Sequence, residues 1–267
     1  MSGGYEHAAT SSRARMLIVN ADDFGLTDGV CDGIVRSIRD GIVTSTSAMV
    51  CREGARERLR LWGPMIPGRI GVHLQLTTGT PVLPAAQVPS LAGPGGEFAR
   101  SRAEVGRVIA GELFLEWRAQ VNVLFELGIE PTHIDTHHHV HARHDIFDVF
   151  CEVAAHFGLP GRPVTRDMAG RLRGADVRCA DVALLDWFGG ELSEKSLLGV
   201  VNKGVERHPG ARCFELMCHP GFRDPPLEKV SRYIGEREIE LGALTAPGLR
   251  DAITQTGLHL SSHSVFG

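Results

Sequence analysis

Short apolar runs alternate along the chain with segments of helical periodicity. The apolar runs predict buried strands at 16–21, 44–50, 69–76, 131–135, 212–218 and 258–263. Between the strands, apolar residues recur at helical spacing, as at Val30, Ile34 and Ile38. Strands that alternate with helices are typical of a parallel sheet. We therefore expect an α/β fold, with one domain over residues 16–267 whose sheet closes or nearly closes into a barrel.

The helical pattern also locates the other elements. It predicts helices at 28–40, 52–62, 102–127, 193–207, 227–244 and 247–256, and a further apolar stripe from Ile146 to Phe157 that Gly158 can end. Residues 162–186 carry no readable pattern. Residues 77–100 are rich in Pro and Gly, which predicts a long loop that borders the functional site and limits substrate length. Residues 1–15 are polar and have no apolar stretch, so we expect a disordered leader and no signal peptide.

Composition and charge exclude several classes of protein. The 267 residues contain 28 Lys and Arg against 32 Asp and Glu, a net charge of −4 without a basic stripe, which argues against a nucleic-acid partner. No apolar run reaches the length of a membrane span. The six cysteines are scattered and form no C-x-x-C pair, so we expect reduced, mostly buried thiols in a cytoplasmic protein.

Histidines are concentrated in one segment. Six of the 13 histidines lie between His133 and His144, in a stretch that follows a predicted strand. Imidazole is a common ligand of divalent metals, and the alternative is a solvated surface run. If this segment continued as a strand, alternation would place five side chains on one face: His133, Asp135, His137, His139 and His141. Five residues cannot all be ligands of one ion, so some would contact the substrate or orient the ligands.

Four other polar residues belong to predicted strands or follow them. Asp22 and Asp23 follow the first strand, where one could bind a metal while the other acts as a base, although a helix cap or turn also uses such residues. His73 lies in the third strand and would otherwise be a core histidine. His219 precedes Pro220-Gly221 and suits a general acid. The carboxyl ends of parallel strands meet at one face, so we expect these segments to converge there.

The chain carries two weaker signals, and two common catalytic motifs are absent from its sequence. Trp187 and Phe188 could form a sugar-stacking platform, although ordinary packing is the simpler interpretation. Glu215, four residues before His219, could be a buried partner. The chain has no G-x-x-x-x-G-K-[ST] motif and no G-x-S-x-G motif, which disfavours nucleotide chemistry and a serine hydrolase.

Five stretches, in order along the chain, resemble the YdjC-type carbohydrate deacetylases, which include chitooligosaccharide deacetylases and hopanoid-associated relatives. They are LIVNADDFGL at 17–26, GIVTSTS at 41–47, GVHL at 71–74, PTHIDTHHHVH at 131–141 and ELMCHPGF at 215–222. The resemblance implies a distorted (β/α) barrel of the glycoside hydrolase/deacetylase type. It also implies metal-dependent removal of the N-acetyl group from an amino sugar or a short N-acetylated oligosaccharide.

The resemblance assigns roles to single residues. The metal ligands would be Asp23, His73 and His137, the base would be Asp22, and His219 would be the acid. The cofactor would be one divalent cation, Mg²⁺ according to the family resemblance and Zn²⁺ according to the chemistry of two histidines and a carboxylate. The partner would be a small N-acetylated sugar, with a homodimer as one option for the assembly. The alternatives are hydrolysis of another linear C–N amide and a non-catalytic carbohydrate- or metal-binding protein.

Overall fold

One parallel sheet organises the molecule. The computed structural model describes residues 14–267, so the leader predicted at 1–15 lies outside the described residues except for its last two positions. The strands are β1 (Arg15–Phe24), β2 (Ser45–Ala48), β3 (Ile70–Leu74), β4 (Ile134–Thr136), β5 (Val182–Leu184), β6 (Cys213–Cys218) and β7 (Leu258–Ser261). Their order is β4-β3-β2-β1-β6-β5, with β7 beside the first half of β1, and every pair is parallel. The predicted parallel sheet is confirmed.

An irregular segment continues the ring of strands between β4 and β5. The amide of Ile134 donates to Pro160 O at 2.9 Å, and the amide of Arg162 donates to Ile134 O at 3.1 Å. On the other side of the segment, the amide of Gly161 donates to Arg178 O at 2.9 Å. This segment therefore stands where a barrel would have another strand, and the fold is a distorted (β/α) barrel.

The helices surround the sheet and mostly follow the predicted periodicity. They are α1 (Asp28–Asp40), α2 (Ala55–Trp62), α3 (Ala110–Glu126), α4 (His144–Phe157), α5 (Arg166–Gly174), α6 (Glu194–Arg207), α7 (Pro225–Val230), α8 (Gly235–Leu244) and α9 (Leu249–Gln255). Thr27 caps α1 by accepting from the amide of Val30, and Gly158 ends α4 in the left-handed conformation. The unreadable stretch 162–186 contains α5 and β5.

Two of the predicted helices are wrong in extent. The helix predicted at 102–127 begins only at Ala110, because the Arg143 guanidinium bonds the carbonyls of Val105 and Gly106 and holds them outside a helix. The helix predicted at 227–244 is broken into α7 and α8. The Ser231 hydroxyl bonds both the amide and the carbonyl of Tyr233, so a side-chain turn replaces the helical bonds there.

The six cysteines are all free, and all but Cys213 are buried, as predicted. Within residues 14–267, none of the helices combines the length and the apolar character needed to cross a membrane.

Candidate active site

The end of β1 turns two neighbouring carboxylates in different directions. The sequence places Asp22 and Asp23 after the strand, whereas in the structure they are still part of β1, which extends to Phe24. The register with β2 shifts between Ala21 and Phe24, and Asp23 has a φ of 76°. This bulge adds a left-handed residue, so Asp22 and Asp23 reach different partners.

Asp23 shares a cluster with two histidines from other elements. Its Oδ1 lies 3.5 Å from His73 Nε2 on β3 and 3.4 Å from His137 Nδ1, which follows β4. Its Oδ2 accepts from Arg237 Nη2 at 2.6 Å. Burial opposes ionisation of Asp23, but Arg237 and His137 hold its pKa well below the usual value. The structure thus joins the three residues predicted as metal ligands, each with one donor atom turned toward the others.

The donor atoms suit a divalent cation. Asp23 Oδ1 is buried and accepts no hydrogen bond from the described part of the chain, although two imidazole nitrogens approach it. Ligand atoms about 2.1 Å from a shared ion lie about 3.0–3.5 Å from one another, close to the separations seen here. The surrounding carboxylates of Asp22, Asp23, Asp135 and Glu215 outnumber the guanidiniums of Arg162 and Arg237 by two negative charges. A divalent cation that displaces the proton of His73, whose pKa is raised by Asp135, would balance that excess.

His73 is oriented by a second carboxylate. Its Nδ1 lies 2.7 Å from Asp135 Oδ1, and Ser47 donates to Asp135 Oδ2 at 2.9 Å. Burial disfavours the imidazolium, but Asp135 raises the pKa of His73 to about 9. A carboxylate on the far nitrogen is the arrangement that orients histidine ligands in metal sites.

The histidine segment does not continue as a strand, so the prediction of one face shared by all five side chains is wrong. Here β4 ends at Thr136, and His138 and His139 take left-handed φ values of 56° and 49°. His141 is consequently buried, with its Nε2 3.0 Å from Arg162 O. His133, before the turn, is buried away from the cluster and stacks on His263 with ring centroids 3.5 Å apart.

Arg162 connects three carboxylates and was not predicted from the sequence. It is fully buried and binds Asp22 with two bonds of 2.7 Å each. Its Nη2 also lies 2.8 Å from Asp135 Oδ2, and its Nε donates to Glu215 at 2.6 Å. Burial would raise the pKa of Asp22, but Arg162 holds it far below the usual value. Glu215, expected as a buried partner near His219, is instead a buried partner of Arg162.

The carboxylate of Asp22 has one side left for a reactant. Its Oδ1 accepts from Arg162, from Asn20 and, at 3.5 Å, from the Ser47 hydroxyl, whereas its Oδ2 accepts only from Arg162 among residues 14–267. That Oδ2 is the oxygen nearest to His219, whose Nε2 is 4.0 Å away. Burial lowers the pKa of His219 to about 4, so the ring is neutral at neutral pH.

Helix α8 holds both sides of the site. Arg237 binds Asp23, as described above, and Glu240 accepts from the backbone amide of His219 at 2.5 Å. Glu240 also accepts from the Tyr233 hydroxyl. Burial raises the pKa of Glu240 to about 7.

A cavity of about 1280 Å³ opens over these groups. It brings together the five residues predicted to act in metal binding and catalysis, which are Asp22, Asp23, His73, His137 and His219. The long loop at 77–100 contributes Phe98 and Arg100 to the wall, as expected for a loop that borders the site. The carboxylate of Glu116 on α3 holds this loop in place by accepting hydrogen bonds from the amides of Val82 and Leu83 at 2.9 and 3.0 Å.

Comparisons with known proteins agree with this architecture. The chain is 35% identical to a carbohydrate deacetylase of Geobacillus stearothermophilus over 94% of this chain and 98% of that protein. It is 38% identical to a chitooligosaccharide deacetylase of Proteus mirabilis, with the same shares covered. A crystal structure from Enterococcus faecalis V583, described as a candidate cellobiose-phosphate cleavage protein, superposes with a TM-score of 0.87 at 32% identity, covering 96% of this chain and all of that one.

The family itself follows from a match along most of the sequence. The sequence profile of the YdjC-like proteins matches residues 16–255, a range that contains all five residues predicted to act in metal binding and catalysis. The chain therefore belongs to the YdjC-like protein family, as its five sequence motifs predict.

Proposed function

We propose that this protein is a metal-dependent deacetylase that hydrolyses the N-acetyl group of an amino sugar or a short N-acetylated oligosaccharide and releases acetate. The main support is one juxtaposition. The unpaired Oδ1 of Asp23 lies between two imidazole nitrogens, beside a second carboxylate, Asp22, whose free side faces His219. The names of the YdjC-like relatives supply the substrate class.

Asp23, His73 and His137 would hold one divalent cation. Their two nitrogens and one carboxylate suit Zn²⁺, and the family resemblance favours Mg²⁺. Once bound, the cation would polarise the acetamide carbonyl and make water at the site more acidic. The other steps belong to the side chains around it.

Asp22 Oδ2 accepts the proton of the attacking water. This is the carboxylate oxygen with only one donor, so it has a free lone pair. Arg162 holds the carboxylate in place and keeps it ionised, which makes it a weak but always available acceptor. Asp22 thus loses the proton again readily.

His219 delivers the proton to the leaving amine. The ring is neutral at rest because burial lowers its pKa to about 4, so it gains its proton during the reaction. Asp22 Oδ2, 4.0 Å from His219 Nε2, is the source. The proton lost by water is the one gained by the amine, so the site ends the cycle as it began.

Acetate release tests the function directly. We expect the protein to release acetate from N-acetylglucosamine or its short oligomers, to stop when a chelator removes the metal, and to recover when Mg²⁺ or Zn²⁺ is restored. N-acetyl-lysine serves as a non-sugar acetamide. Faster release from N-acetyl-lysine than from any sugar would favour hydrolysis of another amide. Sugar binding without acetate release would favour a binding protein.

A further inference from the structure

One aromatic ring in the cavity is only half covered. Phe188 follows β5, lines the cavity, and leaves 49% of its surface exposed. The preceding Trp187 is buried and donates to the Ser196 hydroxyl. Trp187 therefore packs this segment against the core, whereas the ring of Phe188 remains exposed to the cavity. An apolar ring that stays exposed inside a concave site is typical of a ligand contact.

The ring of Phe188 is supported by a second aromatic ring, that of Tyr233. It stacks on Tyr233 with centroids 4.6 Å apart and planes at 17°. Tyr233 is fixed in turn, because its hydroxyl bonds Glu240 and its carbonyl accepts from Arg237 Nε at 3.0 Å. Phe188 therefore offers a flat apolar surface whose orientation is fixed by its contact with Tyr233.

The position of this surface relative to His219 decides what it can bind. The centroids of Phe188 and His219 are 5.1 Å apart. In an N-acetylated amino sugar the nitrogen is attached directly to the pyranose ring. A pyranose stacked on Phe188 would therefore carry its own nitrogen to His219, whereas a neighbouring sugar of the chain would not.

We propose that Phe188, backed by Tyr233, is the platform that binds the sugar ring being deacetylated. The proposal rests on the proposed function for the nature of the ligand. One face of a pyranose is a patch of C–H groups, which gains dispersion and apolar contact on an aromatic surface. Phe188 accordingly selects a ring-shaped acetamide over a linear one.

Three variants test the platform. Phe188→Leu keeps an apolar side chain but removes the flat ring, and Phe188→Trp keeps a flat ring. Phe125→Leu is the matched control, because Phe125 on α3 is 45% exposed and also pairs with an aromatic ring, that of Phe157, but does not line the cavity. The measurements are KM and kcat for acetate release and the equilibrium binding of sugar, all on metal-loaded protein.

We expect Phe188→Leu to raise KM and Kd about tenfold, the loss of about one aromatic contact, with kcat nearly unchanged. The factor should be equal for N-acetylglucosamine and for its dimer and trimer, because the reacting ring makes the contact. Phe188→Trp should bind about as well as the wild type, and Phe125→Leu should behave like it.

Several results would overturn the platform. They are an unchanged KM and Kd in Phe188→Leu, an equal loss in Phe125→Leu, a fall in kcat alone, or a loss confined to the dimer and trimer. Binding is measured separately from turnover, which distinguishes the two proposals. Sugar binding that needs Phe188 without acetate release would overturn the function and support the platform, and a wild type that binds no sugar would overturn both.

Discussion

Replacing Asp22 by Asn tests the proposed base, and the structure predicts what the change costs. Asp22 accepts two bonds from Arg162 and one from Asn20, at 2.7, 2.7 and 2.9 Å, and a longer one of 3.5 Å from Ser47. An amide has one oxygen and one NH₂, so its nitrogen would face a guanidinium N–H, donor against donor. The lost charge-assisted bond should cost about 1.5–3 kcal/mol of stability. The larger penalty of an unpaired buried charge does not apply, since Arg162 keeps two carboxylates.

The effect on rate should be larger than the effect on stability. Asn cannot accept the proton of water, and loss of a general base typically slows turnover about 10²–10⁴-fold. KM should change much less, because the base acts mainly in the transition state. The assay combines acetate release, metal content by mass spectrometry and thermal unfolding.

Glu215→Gln is the matched control for Asp22→Asn. It removes one carboxylate charge from the same guanidinium, at Arg162 Nε, without touching the side of Asp22 that faces His219. We expect a similar loss of stability with most of the turnover retained. Near wild-type turnover in metal-loaded Asp22→Asn would show that Asp22 is not the general base. Equal losses in both variants would mean that Asp22 acts only through Arg162, and loss of the metal from Asp22→Asn would exchange the roles of Asp22 and Asp23.

Three further predictions concern the metal, the pH dependence and the loop. His73→Ala should lower the content of divalent metal and recover part of its activity at high metal concentration, whereas His139→Ala should keep the metal; equal loss in both would contradict the cluster. Burial holds the pKa values of His133 and His141 well below 6.5, so the unfolded chain binds more protons than the folded one below that pH. The free energy of unfolding should therefore decrease as the pH falls below 6.5, by about 1.4 kcal/mol per pH unit for each such histidine. Urea unfolding from pH 7.5 to 5 should show this fall, and a His141→Gln variant as steep as the wild type would argue against it. Glu116→Ala removes the acceptor for two loop amides, so the loop at 77–100 should exchange its amide hydrogens faster and KM should rise; unchanged exchange at Val82 and Leu83 would show that the loop is held by other contacts.

The sequence predicts elements whose determinants are local. Helix α1 matches its predicted range because its apolar spacing and the Thr27 cap are both local signals. The helix across Ser231 is broken because a side-chain turn competes with the helical bonds, and apolar spacing does not report that competition. The strand at 131–135 is predicted, but the left-handed turn at His138 that follows it is not, because positive φ is uncommon for any residue other than glycine and leaves no periodic signal in the sequence.

Within the site, too, residues with a local sequence signal could be predicted, and residues that depend on tertiary contacts could not. Asp22, His73 and His219 could be brought together from the sequence because they mark the ends of parallel strands or lie within them. Arg162 could not, since its segment has no apolar period and its function depends on three carboxylates from distant strands. Phe188 could be named but not distinguished from Trp187, because only the tertiary structure decides which of the two rings is covered.

Helix α8 has a consequence for how the site can move. Arg237 and Glu240 are three residues apart on it, about 4.5 Å along the axis, and one holds Asp23 while the other holds the backbone of His219. The helix therefore links the position of Asp23 to the position of His219. Sliding or tilting α8 would shift both groups as one rigid body. A closure around a substrate that keeps both of these bonds would leave the spacing between Asp23 and His219 unchanged and would move the walls of the cavity instead.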